Sequence, residues 1–118
     1  MFRIKRVYAP PASEDGLRIL VDGLWPRGLS KQAAAVDAWV KDVAPSRELR
    51  QWFNHDAQRW REFTFRYRQE LKSPARASAL DLLLQKGREQ GIVTLLFAAR
   101  DETHNHAVVL HELLRKMP

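Results

Sequence analysis

The apolar positions of this chain follow two spacings, one typical of strands and the other of helices. The runs 17–22 (LRILVD) and 92–98 (IVTLLFA) are short and almost continuously apolar, which is the pattern of strands buried on both faces of a sheet. The segment 2–8 (FRIKRVY) alternates well enough to predict another strand. The segment 37–43 (DAWVKDV) fits either a third strand or a second short helical piece.

The rest of the chain has the three- and four-residue spacing of amphipathic helices. The predicted helices cover 46–53, 57–71, 73–91 and a last segment from His106 to Met117, with a short one in QAAAV at 32–36. Ser46 and Ser73 are placed to cap the first and third of these, and Pro74 suits the first helical position. Asn54 suits a left-handed residue at the end of the first helix.

Buried strands with helices between them predict an α/β fold. We expect a small, mostly parallel sheet of about four strands packed with helices, in a single layered domain over 1–118. In such sheets, ligands bind beyond the carboxyl ends of the strands, where loops lead into helices. Two loops have that position, 22–28 (DGLWPRG) and 100–106 (RDETHNH). If their strands are neighbours, the polar residues of both loops converge on one site.

The two loops carry side chains that suit a small anionic ligand such as phosphate, a nucleotide or a carboxylate. Arginine offers forked donors for such groups, and aspartate orients an arginine or acts as a base. Histidine, with an ordinary pKa of about 6.5, suits proton transfer near neutral pH. The predicted ligand-binding residues are Arg27, Arg100, Asp101, Asn105 and Trp25, and the predicted proton-transfer residues are His106, His104 and Asp22. The alternative for these loops is an Arg–Asp ion pair that pins them together with nothing bound.

Other kinds of site find little support in the sequence. His104 and His106 are two residues apart and would point in different directions on a regular helix, so no metal site is predicted. The absence of cysteine excludes disulfides, thiolate catalysis and cysteine zinc sites. The chain also lacks a nucleophile-elbow motif and the glycine-rich patterns of dinucleotide-binding and P-loop proteins, so no cofactor is predicted. Whether any reaction is catalysed stays open.

The net charge of +6 is concentrated in the stretch 47–76, which holds eight basic and four acidic residues. Such a stretch attracts nucleic acid, and its two helices also fit a helix-turn-helix arrangement. A basic nucleic-acid or protein-partner module on helices 46–76 is therefore the alternative function. The plainer interpretation is a solvated face with pairs such as Glu62–Arg66 and Arg66–Glu70. In that interpretation most of the four tryptophans lie in the core.

At 118 residues the chain is long enough for one hydrophobic core. No run of about 18 apolar residues and no segment of signal-peptide type occurs in it. A cytoplasmic protein that makes no use of a membrane is therefore expected. The oligomeric state and the identity of the ligand do not follow from the sequence.

Three segments of the chain, RILVDGLWPRGLSK, WVKDVAPSRELRQWFNHDAQRWREF and TLLFAARDETHNHAVVL, together resemble the YeaO-like proteins, a bacterial family of unknown function. The resemblance spans nearly the whole chain and implies a small cytoplasmic α/β domain without an established reaction. The family's pattern falls on both strand-end loops, at Asp22, Trp25, Arg27, Arg100, Asp101, His104, Asn105 and His106 among others. Gly23 departs from the pattern, which usually has arginine there, and this change weakens or alters binding if that arginine contacts a ligand.

Overall fold

Four parallel strands form the sheet of the computed structural model, which describes residues 1–117. They are β1 (Phe2–Arg6), β2 (Leu17–Leu20), β3 (Ala38–Trp39) and β4 (Val93–Phe97), and they lie side by side in the order β1, β4, β2, β3. Because every pairing is parallel, the carboxyl ends of the strands share one edge of the sheet. The prediction of a small α/β fold with a parallel sheet of about four strands is confirmed.

The strands are shorter than the sequence pattern predicts. The strand expected over 2–8 ends at Arg6, and the one expected over 17–22 ends at Leu20, although the next N–H of each still donates to β4 at 2.8 and 3.1 Å. The ambiguous segment 37–43 contains both of the proposed structures. It provides the two residues of β3 and then a 3-10 turn, Lys41–Val43.

Five α-helices are formed within residues 1–117. They are α1 (Lys31–Ala34), α2 (Arg47–Phe53), α3 (Trp60–Glu70), α4 (Pro74–Gln90) and α5 (His106–Lys116). Shorter 3-10 turns occupy Ser13–Asp15 and Ala57–Arg59, so the helix predicted over 57–71 begins with a tighter turn before α3.

The predicted helix ends are confirmed with one exception. The Ser46 hydroxyl accepts the N–H of Leu49 at 3.1 Å, and Asn54 closes α2 in the left-handed conformation with φ 45°. Ser73 stands at the cap position of α4, but its side chain makes no capping hydrogen bond. Pro74 therefore marks the start of α4 without help from the serine hydroxyl.

The central strand β4 divides the apolar residues into two layers. All five of its residues are buried because β1 and β2 pair with it on either side. Since successive side chains of a strand point to opposite faces, Leu95 joins the larger core with Phe63 and Tyr67, and Leu96 joins a smaller cluster with Val7 and Leu20. No helix in this part of the chain is long and apolar enough to cross a membrane.

Three of the four tryptophans pack against a core cluster, as expected, but none of the four is fully buried. Trp52 and Trp60 are only partly buried against the larger core, Trp25 packs partly against the smaller cluster, and Trp39 is 36% exposed. An indole N–H needs an acceptor, which keeps one edge of the ring near polar groups. Two of these N–H groups donate to backbone carbonyls, those of Trp25 at 2.8 Å and Trp39 at 2.7 Å.

Gly16 is the glycine whose replacement should cost the most stability. Its φ is +63°, and a Cβ built there would lie 2.3 Å from the carbonyl oxygen of Ile92, which is fixed because it accepts the Leu17 N–H. Gly91 has a similar φ of +81° with open space around it. We expect Gly91→Ala to cost about 1–2 kcal/mol of unfolding free energy from backbone strain alone, and Gly16→Ala to cost roughly 1–3 kcal/mol more from the clash. Urea unfolding of both variants measures this difference, and equal losses would contradict it.

Candidate functional site

The loops that follow β2 and β4 line one cleft of about 770 Å³. They are neighbours because β2 and β4 pair directly, which is the condition the sequence interpretation required. All eight residues singled out from the sequence line this cleft: Asp22, Trp25, Arg27, Arg100, Asp101, His104, Asn105 and His106. The remaining walls come from other elements and include Tyr8, Pro45, Arg50, Phe53, His55 and Phe63.

Asp22 joins three segments at the inner end of the cleft. Its Oδ2 accepts the backbone N–H of Ala98 at 3.0 Å, just after β4. Its Oδ1 lies 3.2 Å from Nε2 of His106, the first residue of α5. The side chains of Asp22 and His106 are 17% and 14% exposed, so their interaction is little screened by water.

Nε2 of His106 has two oxygen atoms at similar distances, but it makes a hydrogen bond with only one of them. Nε2 lies 3.0 Å from the carbonyl oxygen of Val21, which accepts from it in good geometry. Oδ1 of Asp22 is close enough for an ion pair but accepts no hydrogen bond from residues 1–117. The angle decides between the two contacts, because a hydrogen bond weakens steeply when donor and acceptor are misaligned. A buried carboxylate oxygen is therefore left without a donor.

The His106 ring also packs on a buried tyrosine. The rings of His106 and Tyr67 are 6.1 Å apart in an edge-to-face arrangement. The Tyr67 hydroxyl donates to the Val43 carbonyl at 2.6 Å, and burial raises the pKa of that phenol well above its ordinary value. Tyr67 is therefore uncharged, and its ring packs against the imidazole of His106.

A second aspartate–histidine pair lies at the outer end of the loop 100–106. Oδ1 of Asp101 accepts the N–H groups of Thr103 at 2.9 Å and His104 at 3.0 Å, and Oδ2 lies 2.9 Å from Nδ1 of His104. The His104 ring contacts Trp60 edge to face at 5.3 Å. Among residues 1–117, no group of three side chains is arranged to hold a metal ion.

Asn105 is accounted for by its structural contacts. Its Oδ1 accepts the Val108 N–H at 3.2 Å as the cap of α5, and its Nδ2 donates to the Asp101 carbonyl at 2.9 Å. The residue is only 3% exposed. It joins the helix to the loop that carries Asp101 and His104.

The ion pair between the two loops that was the alternative to a ligand is not formed. Asp22 and Asp101 are paired with His106 and His104 instead. Arg27 and Arg100 are exposed, and within the described chain their side chains make no ion pair or hydrogen bond. Two cations therefore stand at the cleft without a counter-charge from the protein.

Arg50 is the cleft residue that the sequence interpretation missed. It lies on α2, and its Nε is inaccessible to solvent and has no hydrogen-bond partner in residues 1–117. Its guanidinium is beside Gly23, where an added Cβ would lie 3.6 Å from Cζ. The sequence spacing could have indicated this position. Arg50 precedes the buried Phe53 by one helical turn and so lies on the same inward face of α2.

Four of the eight basic residues in the stretch 47–76 have a polar partner within residues 1–117: Arg59, Arg66, Arg68 and Arg76. The guanidinium groups of Arg59 and Arg66 stack on the Trp52 ring, 5.2 and 4.4 Å from its centroid. These two arginines also pair with acidic residues, Arg59 with Asp56 and Arg66 with Glu62. The predicted Glu62–Arg66 pair is confirmed.

The predicted Arg66–Glu70 pair is wrong because Glu70 has other partners. Its two carboxylate oxygens accept the backbone N–H of Ser46 at 2.7 Å and the Ser46 hydroxyl at 2.5 Å. The carboxylate thus holds the start of α2 against the end of α3. Charge-assisted bonds to a backbone N–H are stronger than a pair between exposed side chains, so the helix cap takes precedence.

The pKa of Asp101 provides a test of the outer loop. It is lowered from 3.8 to about 2, chiefly because the Thr103 N–H donates to the carboxylate, with further donation from His104 and the Thr103 hydroxyl. A lowered pKa in the folded state stabilises the loop above pH 3.8, and this stabilisation is lost as the pH falls through about 2. Carboxyl-carbon NMR should give a titration midpoint near 2, and Thr103→Val should raise it. A midpoint near 3.8 in the unchanged protein would contradict the loop geometry.

Comparison with known proteins places the chain in a family. A model of DUF488-N3i, described as the inactive DUF488-N3 subclade, matches residues 1–117. The uncharacterised protein Rv3073c of Mycobacterium tuberculosis is 42% identical over 112 residues, which are 95% of this chain and 92% of that protein. The uncharacterised protein YeaO of Escherichia coli K12 is 41% identical over 113 residues, or 96% of each chain. No solved structure matches the chain.

The resemblance to YeaO-like proteins is thus confirmed by two independent findings, a family model that matches nearly the whole chain and full-length relatives in two bacteria. The matched regions cover almost all of each of these proteins. From these matches, the chain belongs to the DUF488-N3i family, the inactive DUF488-N3 subclade.

Proposed function

We propose that this protein binds a small organic anion in the cleft between the loops 22–28 and 100–106. The observation that carries the proposal is the presence of three arginines in the cleft without a carboxylate partner from residues 1–117: Arg27, Arg50 and Arg100. The two aspartates of the cleft are already paired with histidines. A bound oxyanion would supply the missing counter-charge, and guanidinium groups hold phosphate or carboxylate with paired hydrogen bonds.

The size of the cleft favours an organic molecule over a bare ion. Its volume of about 770 Å³ falls within the range of roughly 300–1,000 Å³ typical of sites for small organic ligands. Apolar side chains such as Leu24, Phe53 and Phe63 form part of the lining. A ligand with an anionic group and an apolar body, such as a nucleotide or an aromatic carboxylate, would use both kinds of wall.

Binding rather than turnover is the function we propose. The DUF488-N3i subclade is described as inactive, and in this protein Nε2 of His106 is engaged with the Val21 carbonyl. Acid–base chemistry at this site would have to use His104, or Nδ1 of His106 with Asp22 supporting the ring. We propose that His104, His106 and Asp22 contribute to ligand binding. A role in proton transfer would require a reaction, which a substrate screen would have to reveal.

Thermal-shift measurements with orthophosphate, adenosine monophosphate and benzoate test the proposal. A ligand at about a hundred times its dissociation constant stabilises the folded state by roughly 2.7 kcal/mol, which is on the order of several degrees for a chain of this size. We expect Arg100→Ala to abolish most of that shift, because it removes a cation from the cleft. Arg115→Ala removes an exposed arginine at the far end of α5 and should leave the shift unchanged.

Two outcomes would count against the proposal. No shift from any of the three probes would indicate that the cleft holds no small anion of these classes. A shift that persists in Arg100→Ala would place the binding elsewhere. If nucleic acid binds instead, with an affinity that falls steeply as salt increases and that survives Arg100→Ala, the helices over 46–76 are the binding surface.

A further inference from the structure

We infer that Arg50 is the inner anion-binding residue of the cleft and that Gly23 determines which ligands reach it. This inference rests on the proposed function and adds the position of the anion within the site. Neither residue belongs to the two polar clusters formed by Asp22–His106 and Asp101–His104. Both line the cleft, and Gly23 directly faces the Arg50 guanidinium.

The contacts of Arg50 differ from those of Arg18, the buried arginine of residues 1–117. Arg18 is 4% exposed, and each of its three guanidinium nitrogens donates: Nε to the Ala35 carbonyl at 2.9 Å, one terminal nitrogen to the Ala34 carbonyl at 2.8 Å and the other to Asp15 at 2.6 Å. This is how the chain satisfies a structural arginine. The Arg50 side chain has no such partner in residues 1–117, although its Nε is shielded from solvent.

A buried guanidinium N–H without an acceptor destabilises the folded protein, because it has lost its hydrogen bonds to water. Natural sites tolerate such a cost where the group has a use. The terminal nitrogens of Arg50 have no partner within residues 1–117 either, and Nη1 lies beside Gly23 on the cleft side, where an oxyanion would supply an acceptor. The backbone around Arg50 is well fixed, since its N–H donates to the Ser46 carbonyl at 3.0 Å and its carbonyl accepts the Asn54 N–H at 2.9 Å. The guanidinium is thus carried by a capped helix and not by a mobile loop.

Gly23 is not required by the backbone conformation. Gly16, Gly28 and Gly91 have positive φ values, but Gly23 does not, so an L-residue would fit its backbone. A Cβ at position 23 would meet the Ala44 Cβ at 3.5 Å and the Arg50 Cζ at 3.6 Å, both ordinary contacts. A longer side chain would extend over the guanidinium. The glycine therefore leaves open the space that an oxyanion needs in front of Arg50.

The guanidinium groups of the cleft suit a planar or tetrahedral oxyanion, either a carboxylate or a phosphate monoester. Either one can bind two guanidinium donors at once. Affinity measurements with benzoate and with adenosine monophosphate distinguish the two classes, and orthophosphate shows whether the anion alone is sufficient. The apolar wall that includes Phe53, one helical turn from Arg50, favours the two organic probes.

Arg50→Met and its matched control Arg47→Met provide the test. Arg47 lies on the same helix, is exposed and is not part of the cleft. We expect Arg50→Met to weaken binding of the organic probe by about tenfold or more, measured by titration calorimetry, because it removes a charge-assisted hydrogen bond. We also expect its melting temperature without ligand to equal or exceed that of the unchanged protein. Arg47→Met should leave the dissociation constant within about twofold, since a solvated charge outside the site contributes little.

Substitutions at Gly23 test the second part of the inference. Gly23→Leu should weaken binding by about tenfold or more, since it fills the space over the guanidinium and the oxyanion loses its bonds to Arg50. Gly23→Ala, whose Cβ fits, should have a much smaller effect. Both variants should keep a melting temperature close to that of the unchanged protein, because the backbone at this position accepts an L-residue.

The possible results separate this inference from the proposed function. Binding that is lost in Arg100→Ala but unchanged in Arg50→Met would leave the proposed function standing and overturn the role of Arg50. A lower melting temperature for Arg50→Met with unchanged affinity would make Arg50 a structural residue. Equal affinities for Gly23→Leu and the unchanged protein would overturn the role of Gly23. Failure of every probe to bind the unchanged protein would overturn both proposals.

Discussion

The cleft depends on the carboxylate of Asp22, which holds the ends of β2 and β4 and the start of α5 at one point. Oδ2 accepts the Ala98 N–H, and Oδ1 lies beside the imidazole of His106. Parallel strands bring their carboxyl ends to one edge but do not fix the loops that leave them. The little-exposed carboxylate of Asp22 does so, because its hydrogen bond to Ala98 and its ion-pair contact with His106 tie the end of β2 to the segment that follows β4. The polar walls of the cleft follow from this single junction.

Several arginines away from the cleft have partners within residues 1–117, whereas those of the cleft do not. Away from the cleft, Arg18 is saturated by Asp15 and two carbonyls, and Arg59 and Arg66 stack on Trp52 while pairing with acids. In the cleft, the arginines have no such partners within residues 1–117. The buried Arg18 is satisfied within the protein, whereas the cleft arginines are left free at the edge of the sheet where α/β proteins bind ligands.

The sequence predicted the parts of the structure that depend on local pattern or on general topology. Continuous apolar runs identified β2 and β4, and the position of the loops after them located Asp22, Arg100 and His106. The contribution of Arg50 depends on how α2 packs against the sheet, which no local spacing encodes. Similarly, Arg66 and Glu70 have the spacing of an ion pair, but the carboxylate is taken by Ser46 from a distant part of the chain. Which partner a side chain takes is decided by contacts between residues far apart in the chain. Those contacts cannot be predicted from the local spacing of residues in one sequence.

The unsatisfied groups of the cleft carry complementary chemistry. Beside Gly23 lies Nη1 of the Arg50 guanidinium, and the residue before Gly23 is Asp22. The two side chains do not neutralise each other, since the only ion-pair contact of Asp22 in the described chain is with His106. An oxyanion bound at Arg50 would therefore lie near a carboxylate. A ligand that carries a hydroxyl, amino or amide group beside its oxyanion fits this site better than a simple anion, because two negative charges at short distance repel each other.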